Sequence, residues 1–161
     1  MNGKLYLCPT PIGNLGDITL RTLEVLKSVD LIAAEDTRVS AKLLNHFDIK
    51  VPTTSYYEHN KREKGSYLIE KLLLKTNMYI LFIAIMFQYV NIPLPRQNIF
   101  CLLVRLCIKN NIEIESLPGP CAFATALVAS GMPTGRFAFE GFLTVNRKNR
   151  LKHLESLKSD V

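Results

Sequence analysis

The feature that most constrains the fold is the opening stretch, Leu5–Arg38, where two apolar runs flank a Pro/Gly-rich loop and an amphipathic segment. The first run, Leu5–Cys8, leads into PTPIGNLGD, a segment rich in residues that interrupt regular structure. Asp17 then occupies the position expected of a helix N-cap. Apolar residues follow at every third position, which predicts one helix face: Leu20, Leu23, Leu26 and Val29. The order predicts strand, loop, helix and strand.

The second apolar run, DLIAA at 30–34, ends abruptly in the charged segment Glu35–Arg38. In an open parallel sheet, ligands bind outside the carboxyl ends of the strands. PTPIGNLGD and AEDTR both follow predicted strands, so together they form a candidate site. The alternative is structural, because Gly and Pro turn chains and acids followed by Thr cap helices. The loop matches neither the GxGxxG fingerprint nor a phosphate-binding loop.

The remaining sequence predicts further alternation of helices and strands, and therefore an α/β fold with a parallel-type sheet and flanking helices. The predicted helices are Ser40–Phe47, with Ala41, Leu44 and Phe47 inward, Lys61–Lys75, with Leu68, Ile69 and Leu72 inward, Leu102–Asn111, Cys121–Ser130 and Asn146–Ser159. The predicted strands are Val51–Tyr57, Met78–Ile85, Ile112–Leu117 and Arg136–Leu143. Left-handed geometry is expected at Asn110-Asn111 and at Gly131, where helices end.

A twenty-residue segment, Thr76–Pro95, carries no charged side chain. A membrane span needs about twenty mostly apolar residues, but Asn91, Pro93 and Pro95 interrupt this segment too early. A buried strand is therefore the better interpretation.

Composition favours an anionic partner and a reducing compartment. The net charge is +6 and the isoelectric point is near 9.2, although many basic proteins bind no nucleic acid. Four cysteines form no CxxC pair and have no His at ligand spacing, which predicts free, buried thiols and no metal site. The first residues lack the pattern of a secretory signal. We therefore expect a cytoplasmic protein without a membrane segment.

The motifs at Leu5–Arg38 and Pro118–Phe142 (PGPCAFATALVASGMPTGRFAFEGF) resemble the tetrapyrrole methylase superfamily. GNLGDIT and AEDTR are similar to its branch of small-subunit ribosomal RNA methyltransferases. The resemblance implies two α/β domains, here residues 1–117 and the start of a second at 118–161. It also implies S-adenosylmethionine bound between the domains, a homodimer, and methyl transfer to a cytidine ribose 2′-hydroxyl. A corrin or porphyrin methylase is the nearest alternative enzyme.

The resemblance also implies roles for individual residues. A ribose hydroxyl is a poor nucleophile, so Glu35 and Asp36 would orient the acceptor, and Arg38 would meet a phosphate. The residues expected at the cofactor are Pro11, Gly13, Asn14, Pro118, Gly119, Pro120 and Ala122. The residues expected at the RNA backbone are Arg38, Arg147, Lys148, Arg150 and Lys152, although a solvated helix face explains the last four nearly as well. His59 is either a base at a strand end or an exposed helix-start residue.

One segment departs from the family pattern. The family has a Gly- and Asp-rich cofactor loop after the central strand, but no Gly or Asp occurs between Thr76 and Lys109. Family-like sequence ends near Leu74 and resumes near Leu102, which predicts that two compensating frame shifts altered Thr76–Cys101. We therefore expect weak or absent cofactor binding. The other interpretations are a defective copy of such an enzyme and a non-catalytic module that binds RNA or dimerises. The family's second domain is expected only as a fragment.

Overall fold

The computed structural model describes residues 3–57, 60–74, 79–84, 99–138 and 143–159. Its strands are β1 (Lys4–Pro9), β2 (Leu31–Ala34), β3 (Thr53–Ser55), β4 (Tyr79–Ala84) and β5 (Glu113–Ser116). Its helices are α1 (Leu20–Ser28), α2 (Thr37–His46), α3 (Lys61–Leu74), α4 (Ile99–Lys109), α5 (Ala122–Ala129) and α6 (Arg147–Ser156). Short 3-10 turns lie at Leu15–Asp17 and Leu157–Ser159.

The strands form one parallel sheet in the order β3-β2-β4-β1-β5, which confirms the predicted α/β class. The chain steps towards one edge from β1 to β3 and then towards the other edge through β4 to β5. Because parallel crossovers are right-handed, the reversal places α1 and α2 on one face and α3 and α4 on the other. β5, at one edge, is tied to β1 by Lys4, whose Nζ lies 2.6 Å from carboxylate oxygens of Glu113 and Glu115.

Two apolar clusters, one on each face, form the core. Alternate residues of a strand point to opposite faces, so Leu5 and Leu7 pack with α3 and α4 while Cys8 packs with α1 and α2. The α3–α4 cluster includes Leu68, Ile69, Leu72 and Leu103. The first three are the predicted inward residues of α3 and are buried.

The start of α1 differs from the prediction. The N-cap is Thr19, whose side chain accepts a hydrogen bond from the Thr22 amide, and Asp17 instead ends the preceding 3-10 turn. Leu26 is fully buried, whereas Leu20 is 80% exposed. The physical reason is the pitch of the helix. A spacing of three falls short of the 3.6-residue turn, so the four leucine and valine positions drift around the helix.

Of the three predicted inward residues of α2, Leu44 is buried, Phe47 is half-buried against the same cluster, and Ala41 is exposed, so the prediction is wrong for Ala41. The helix begins at Thr37 rather than Ser40, because Asp36 caps it. Ser40 and Leu43 are buried beside Leu44, so the buried face contains a polar residue that the search for apolar spacing did not register.

The predicted left-handed helix ends are present at Asn111, with φ 52°, and at Gly131, with φ 67°. The strand predicted at Arg136–Leu143 is absent from its described residues, 136–138 and 143, and the others lie outside the described ranges. Neither α5 nor α6 has a buried residue, and the contact between the rings of Phe123 and Phe137 leaves Phe137 55% exposed. The division at residue 117 remains a prediction.

The central apolar segment contains β4, in agreement with the predicted strand, although Met78 and Ile85 fall outside the described residues. Among the helices that the structure describes, none has the length and apolar character needed to cross a membrane. Free thiols are present at Cys8 and Cys107, both buried, and at Cys121, which is half-buried. Burial raises the pKa of the Cys8 and Cys107 thiols to about 12, so both are protonated at neutral pH.

Candidate functional site

A cavity of about 540 Å³ opens at the carboxyl ends of β1 and β2. It lies between the loop after β1 and the first two turns of α2. Its lining residues are Thr10, Pro11, Gly13, Leu15, Glu35, Asp36, Val39, Ser40, Lys42 and Leu43. The structure thus brings together the two segments, PTPIGNLGD and AEDTR, that the sequence singled out.

The loop after β1 supplies Thr10, Pro11, Gly13 and Leu15 to the cavity lining. Gly13 has φ 95°, and an added Cβ would meet no atom within 4 Å. Glycine is therefore required there by backbone conformation rather than by space. The Asn14 side chain accepts a hydrogen bond from the Gly16 amide at 3.0 Å and caps the 3-10 turn, so it stiffens the loop.

The segment after β2 contributes the charged wall. Asp36 caps α2, and its carboxylate accepts hydrogen bonds from the amides of Arg38 (2.9 Å) and Val39 (3.4 Å). The Arg38 guanidinium folds back onto the same carboxylate at 3.2 and 3.0 Å. Hydrogen bonds from the Arg38 side chain and backbone hold the pKa of Asp36 below its usual range. Asp36 is therefore an ionised, fixed acceptor, and Glu35 lies beside it in the cavity wall.

The sequence allowed two interpretations of AEDTR, a helix cap and a wall of a ligand site. Both hold for the same residues. Asp36 both caps α2 and lines the cavity. Helix N-termini concentrate unpaired amide donors and a positive end of the helix dipole. The capping carboxylate neutralises that end here, leaving Glu35 as the second acid of the wall.

The Pro118–Pro120 segment reaches the same end of the sheet from β5, although it does not line the cavity. A Cβ on Gly119 would lie 2.6 Å from Cγ of Pro9, the last residue of β1. Only glycine permits this approach, so the segment is packed directly against the end of β1. Gly119 therefore lies against the end of β1, and the described cavity lining includes none of the four predicted residues Pro118, Gly119, Pro120 and Ala122.

The predicted cations divide into two places. Arg38 pairs with the lining residue Asp36 and has an 89% exposed side chain. Arg147, Lys148, Arg150 and Lys152 lie on α6, whose described residues do not line the cavity. The sequence reasoning missed Lys42, Thr10 and Ser40. For Lys42 a signal existed, since it follows Arg38 by four positions and therefore shares its helix face.

The central strand, β4, ends between the loop after β1 and the segment after β2. In the parallel register Ala84 of β4 pairs with Pro9 of β1, and Ile83 pairs with Ala34 of β2. Connections from β1 and β4 go to opposite faces, which makes their carboxyl ends the switch point where open sheets bind ligands. Residues 85–98, and His59, lie outside the described ranges. Within those ranges no group of three or more His, Cys, Asp or Glu residues could hold a metal ion.

The amino-terminal part of the chain matches a family model described as Tetrapyrrole (Corrin/Porphyrin) Methylases, over residues 4–83. The chain is also 44% identical over 98% of its length to a ribosomal RNA small subunit methyltransferase I of Escherichia coli O157:H7. The corresponding protein of Haemophilus influenzae is 45% identical over 99% of the chain. These matches cover 53% and 54% of the two relatives, so the chain spans about half the length of the curated relatives it matches.

Solved structures support the fold. A putative cobalamin synthesis related protein from Corynebacterium diphtheriae superposes with a TM-score of 0.58 over 86% of this chain and 62% of that protein. At 13% sequence identity, this similarity concerns the fold alone.

Proposed function

Because this chain belongs to the tetrapyrrole methylase family, we propose that its cavity serves methyl transfer to a cytidine ribose 2′-hydroxyl of small-subunit ribosomal RNA. The observation that carries the proposal is the shared lining of one cavity by Pro11 and Gly13 on one side and Glu35 and Asp36 on the other. The reaction belongs in the cytoplasm, and the active assembly is a homodimer with residues 118–161 in a second domain.

The cavity suits S-adenosylmethionine in size and lining. Its volume of about 540 Å³ falls within the range of about 300–1,000 Å³ typical of small-molecule sites. Leu15, Val39 and Leu43 supply apolar surface, and Thr10 and Ser40 supply hydroxyl groups. When bound, the donor supplies an electrophilic methyl group on a sulfonium, so the chemistry needs no metal.

The residues of the chain contribute positioning and acceptor orientation. The glycine backbone at Gly13 lets a ligand approach the loop closely. Glu35 accepts the hydrogen bond of the ribose hydroxyl, since it lines the cavity opposite the loop after β1, while Asp36 holds Arg38 and the start of α2. Orienting the acceptor in line with the donor supplies much of the rate in such transfers.

RNA reaches the site along basic surfaces. Arg38 is exposed beside the lining residue Asp36, and α6 adds Arg147, Lys148, Arg150 and Lys152, of which all but the half-buried Arg150 are exposed. Phosphate contacts of this kind position a strand without reading its sequence.

Methyl transfer to small ribosomal subunits tests the proposal. The purified chain is incubated with methyl-labelled S-adenosylmethionine and subunits that lack the modification, and nucleosides are analysed by mass spectrometry. We expect 2′-O-methylcytidine with the wild type and at least a tenfold lower yield with Glu35→Gln, a loss of about 1.4 kcal/mol of transition-state stabilisation. Lys27→Gln, on the exposed end of α1, serves as the control that retains activity.

Two outcomes would contradict the proposal. RNA binding without any label transfer would favour the non-catalytic RNA-binding module. Equal yields from the wild type and Glu35→Gln would remove Glu35 from the acceptor role.

A further inference from the structure

The charge distribution around the cavity is uneven. Two carboxylates line it, Glu35 and Asp36, against a single lining cation, Lys42. Asp36 is already neutralised by the Arg38 guanidinium. In the described part of the chain, no ion pair joins Lys42 to another side chain.

Lys42 and Arg38 lie on the same face of α2. Residues four apart on a helix are neighbours, with Cβ atoms about 5–6 Å apart. Arg38 is outside the cavity lining and exposed, whereas Lys42 is exposed and within the lining. Lys42 therefore carries the positive charge of this face that no ion pair within the described ranges engages, and Arg38, whose Nε and Nη2 bond to Asp36, keeps further guanidinium N–H donors on an exposed side chain.

We propose that Lys42 binds a phosphodiester of the substrate RNA, next to the phosphate met by Arg38, while the target ribose enters the cavity. The inference rests on the proposed function. A lysine ammonium binds phosphate as a mobile point charge on a flexible stem, which suits a backbone whose exact course varies.

A polyanion can contact both Lys42 and Arg38, whereas a single small anion bound in the cavity can contact only Lys42. The carboxylate of the methyl donor could contact Lys42 inside the cavity but could not at the same time reach Arg38 outside it. A nucleic acid strand with successive phosphates can contact both, and Glu35 lines the same cavity as Lys42. The RNA backbone is therefore the occupant that the arrangement favours.

The test is the salt dependence of RNA binding by the full chain. Affinity for a labelled single-stranded RNA oligonucleotide is measured between about 50 and 200 mM salt. Each lost phosphate contact reduces the log–log slope by about 0.7 for single strands. We expect this reduction in Lys42→Gln, with about fivefold to tenfold weaker binding at the lowest salt. The reduction should double in the Arg38→Gln, Lys42→Gln variant.

Two control variants and one stability measurement check the interpretation. Lys42→Arg keeps the charge and should restore the wild-type slope. Lys27→Gln removes an equally exposed lysine away from the cavity and should leave the slope unchanged. Because Gln and Lys have similar helix propensities, Lys42→Gln should unfold at the wild-type temperature.

A wild-type slope in Lys42→Gln would overturn the inference. It would also be overturned if that variant lost affinity for S-adenosylmethionine by calorimetry while its RNA slope stayed constant, since Lys42 would then meet the donor's carboxylate. Both results leave RNA binding by the wild type intact. Absence of salt-dependent RNA binding by the wild type would instead contradict the proposed function itself.

Discussion

Single residues explain how the candidate site is held together. Gly119 is the clearest case, because its α-carbon faces the Pro9 ring with no space for a side chain. The same residue was predicted at the cofactor from the family motif PGP. Its packing against β1 provides a structural reason for glycine that does not depend on a ligand.

Gly119→Ala should destabilise the protein by about 1–3 kcal/mol, as overpacking of a tight contact does. The added methyl group would lie 2.6 Å from Cγ and 3.3 Å from Cβ of Pro9, and a proline ring cannot rotate away. Urea unfolding followed by circular dichroism measures the change. Gly135→Ala, where an added Cβ meets nothing within 4 Å, is the matched control and should be close to neutral.

Asp36 should stabilise the protein through its cap and its ion pair with Arg38. Asp36→Ala should lower the unfolding temperature more than Asp36→Asn, because asparagine can still cap α2. The folded-state pKa of Asp36 is lowered from 3.8, so its contribution is complete above the unfolded pKa and is lost as the pH falls through the folded pKa. Thermal melts at neutral and acidic pH measure this. A difference between wild type and Asp36→Ala that persists in strong acid would contradict it.

At the scale of elements, the sequence predicted the type of each element better than its buried face. Continuous apolar runs identified β1 and β2, since both faces of a parallel strand are covered. The apolar spacing wrongly predicted Leu20 and Ala41 to be buried, because short helices bury only part of a regular pattern. The caps at Thr19 and Asp36 decide where each helix begins.

The candidate site could likewise be predicted only in part. PTPIGNLGD and AEDTR could be predicted because parallel strands deliver their carboxyl ends to one edge. The contribution of Ser40 could not, because it depends on how α2 is rotated against the sheet. Lys42 could have been found from its spacing of four from Arg38. The position of Pro118–Pro120 outside the cavity lining depends on the contact between Gly119 and Pro9, which no local pattern encodes.

Core truncations should separate the packed elements from the others. Leu103→Ala in α4 removes a fully buried side chain and should cost about 2–5 kcal/mol. Val128→Ala in α5 removes a side chain that is 78% exposed and should change stability by less than about 0.5 kcal/mol. Chemical denaturation measures both. A comparable loss in the two variants would mean that α5 packs against the core.

At the scale of the whole molecule, the chain forms one parallel sheet with helices on both faces. Its sequence after β4, however, departs from the family pattern. The match to the family model ends at residue 83, near the end of β4. The following sequence carries no Gly or Asp up to Lys109, although the family places a Gly- and Asp-rich cofactor loop there. A buried strand needs only apolar bulk, so β4 forms without that loop.

We expect the nucleotide sequence of the gene to show how the segment Thr76–Cys101 arose. Translating the codons for Thr76–Cys101 in the other two frames should recover fragments such as Ser-Asp or Asp-Pro-Gly, because two compensating frame shifts leave both flanks intact. Nucleotide sequencing is the measurement. If neither frame contains such fragments, the frame-shift account is wrong and the segment is a genuine substitution.

The central claim is that the cavity between the β1 loop and α2 receives the methyl donor, and amide NMR of the chain titrated with S-adenosylmethionine tests it most directly. We predict chemical-shift changes concentrated at Thr10, Gly13 and Glu35–Ser40, the backbone around the cavity. Because the sequence after β4 contains no Gly or Asp up to Lys109, the changes should not saturate at micromolar donor. Shifts confined to other parts of the chain would contradict the assignment of the site, and saturation at micromolar donor would contradict the predicted weakness of binding.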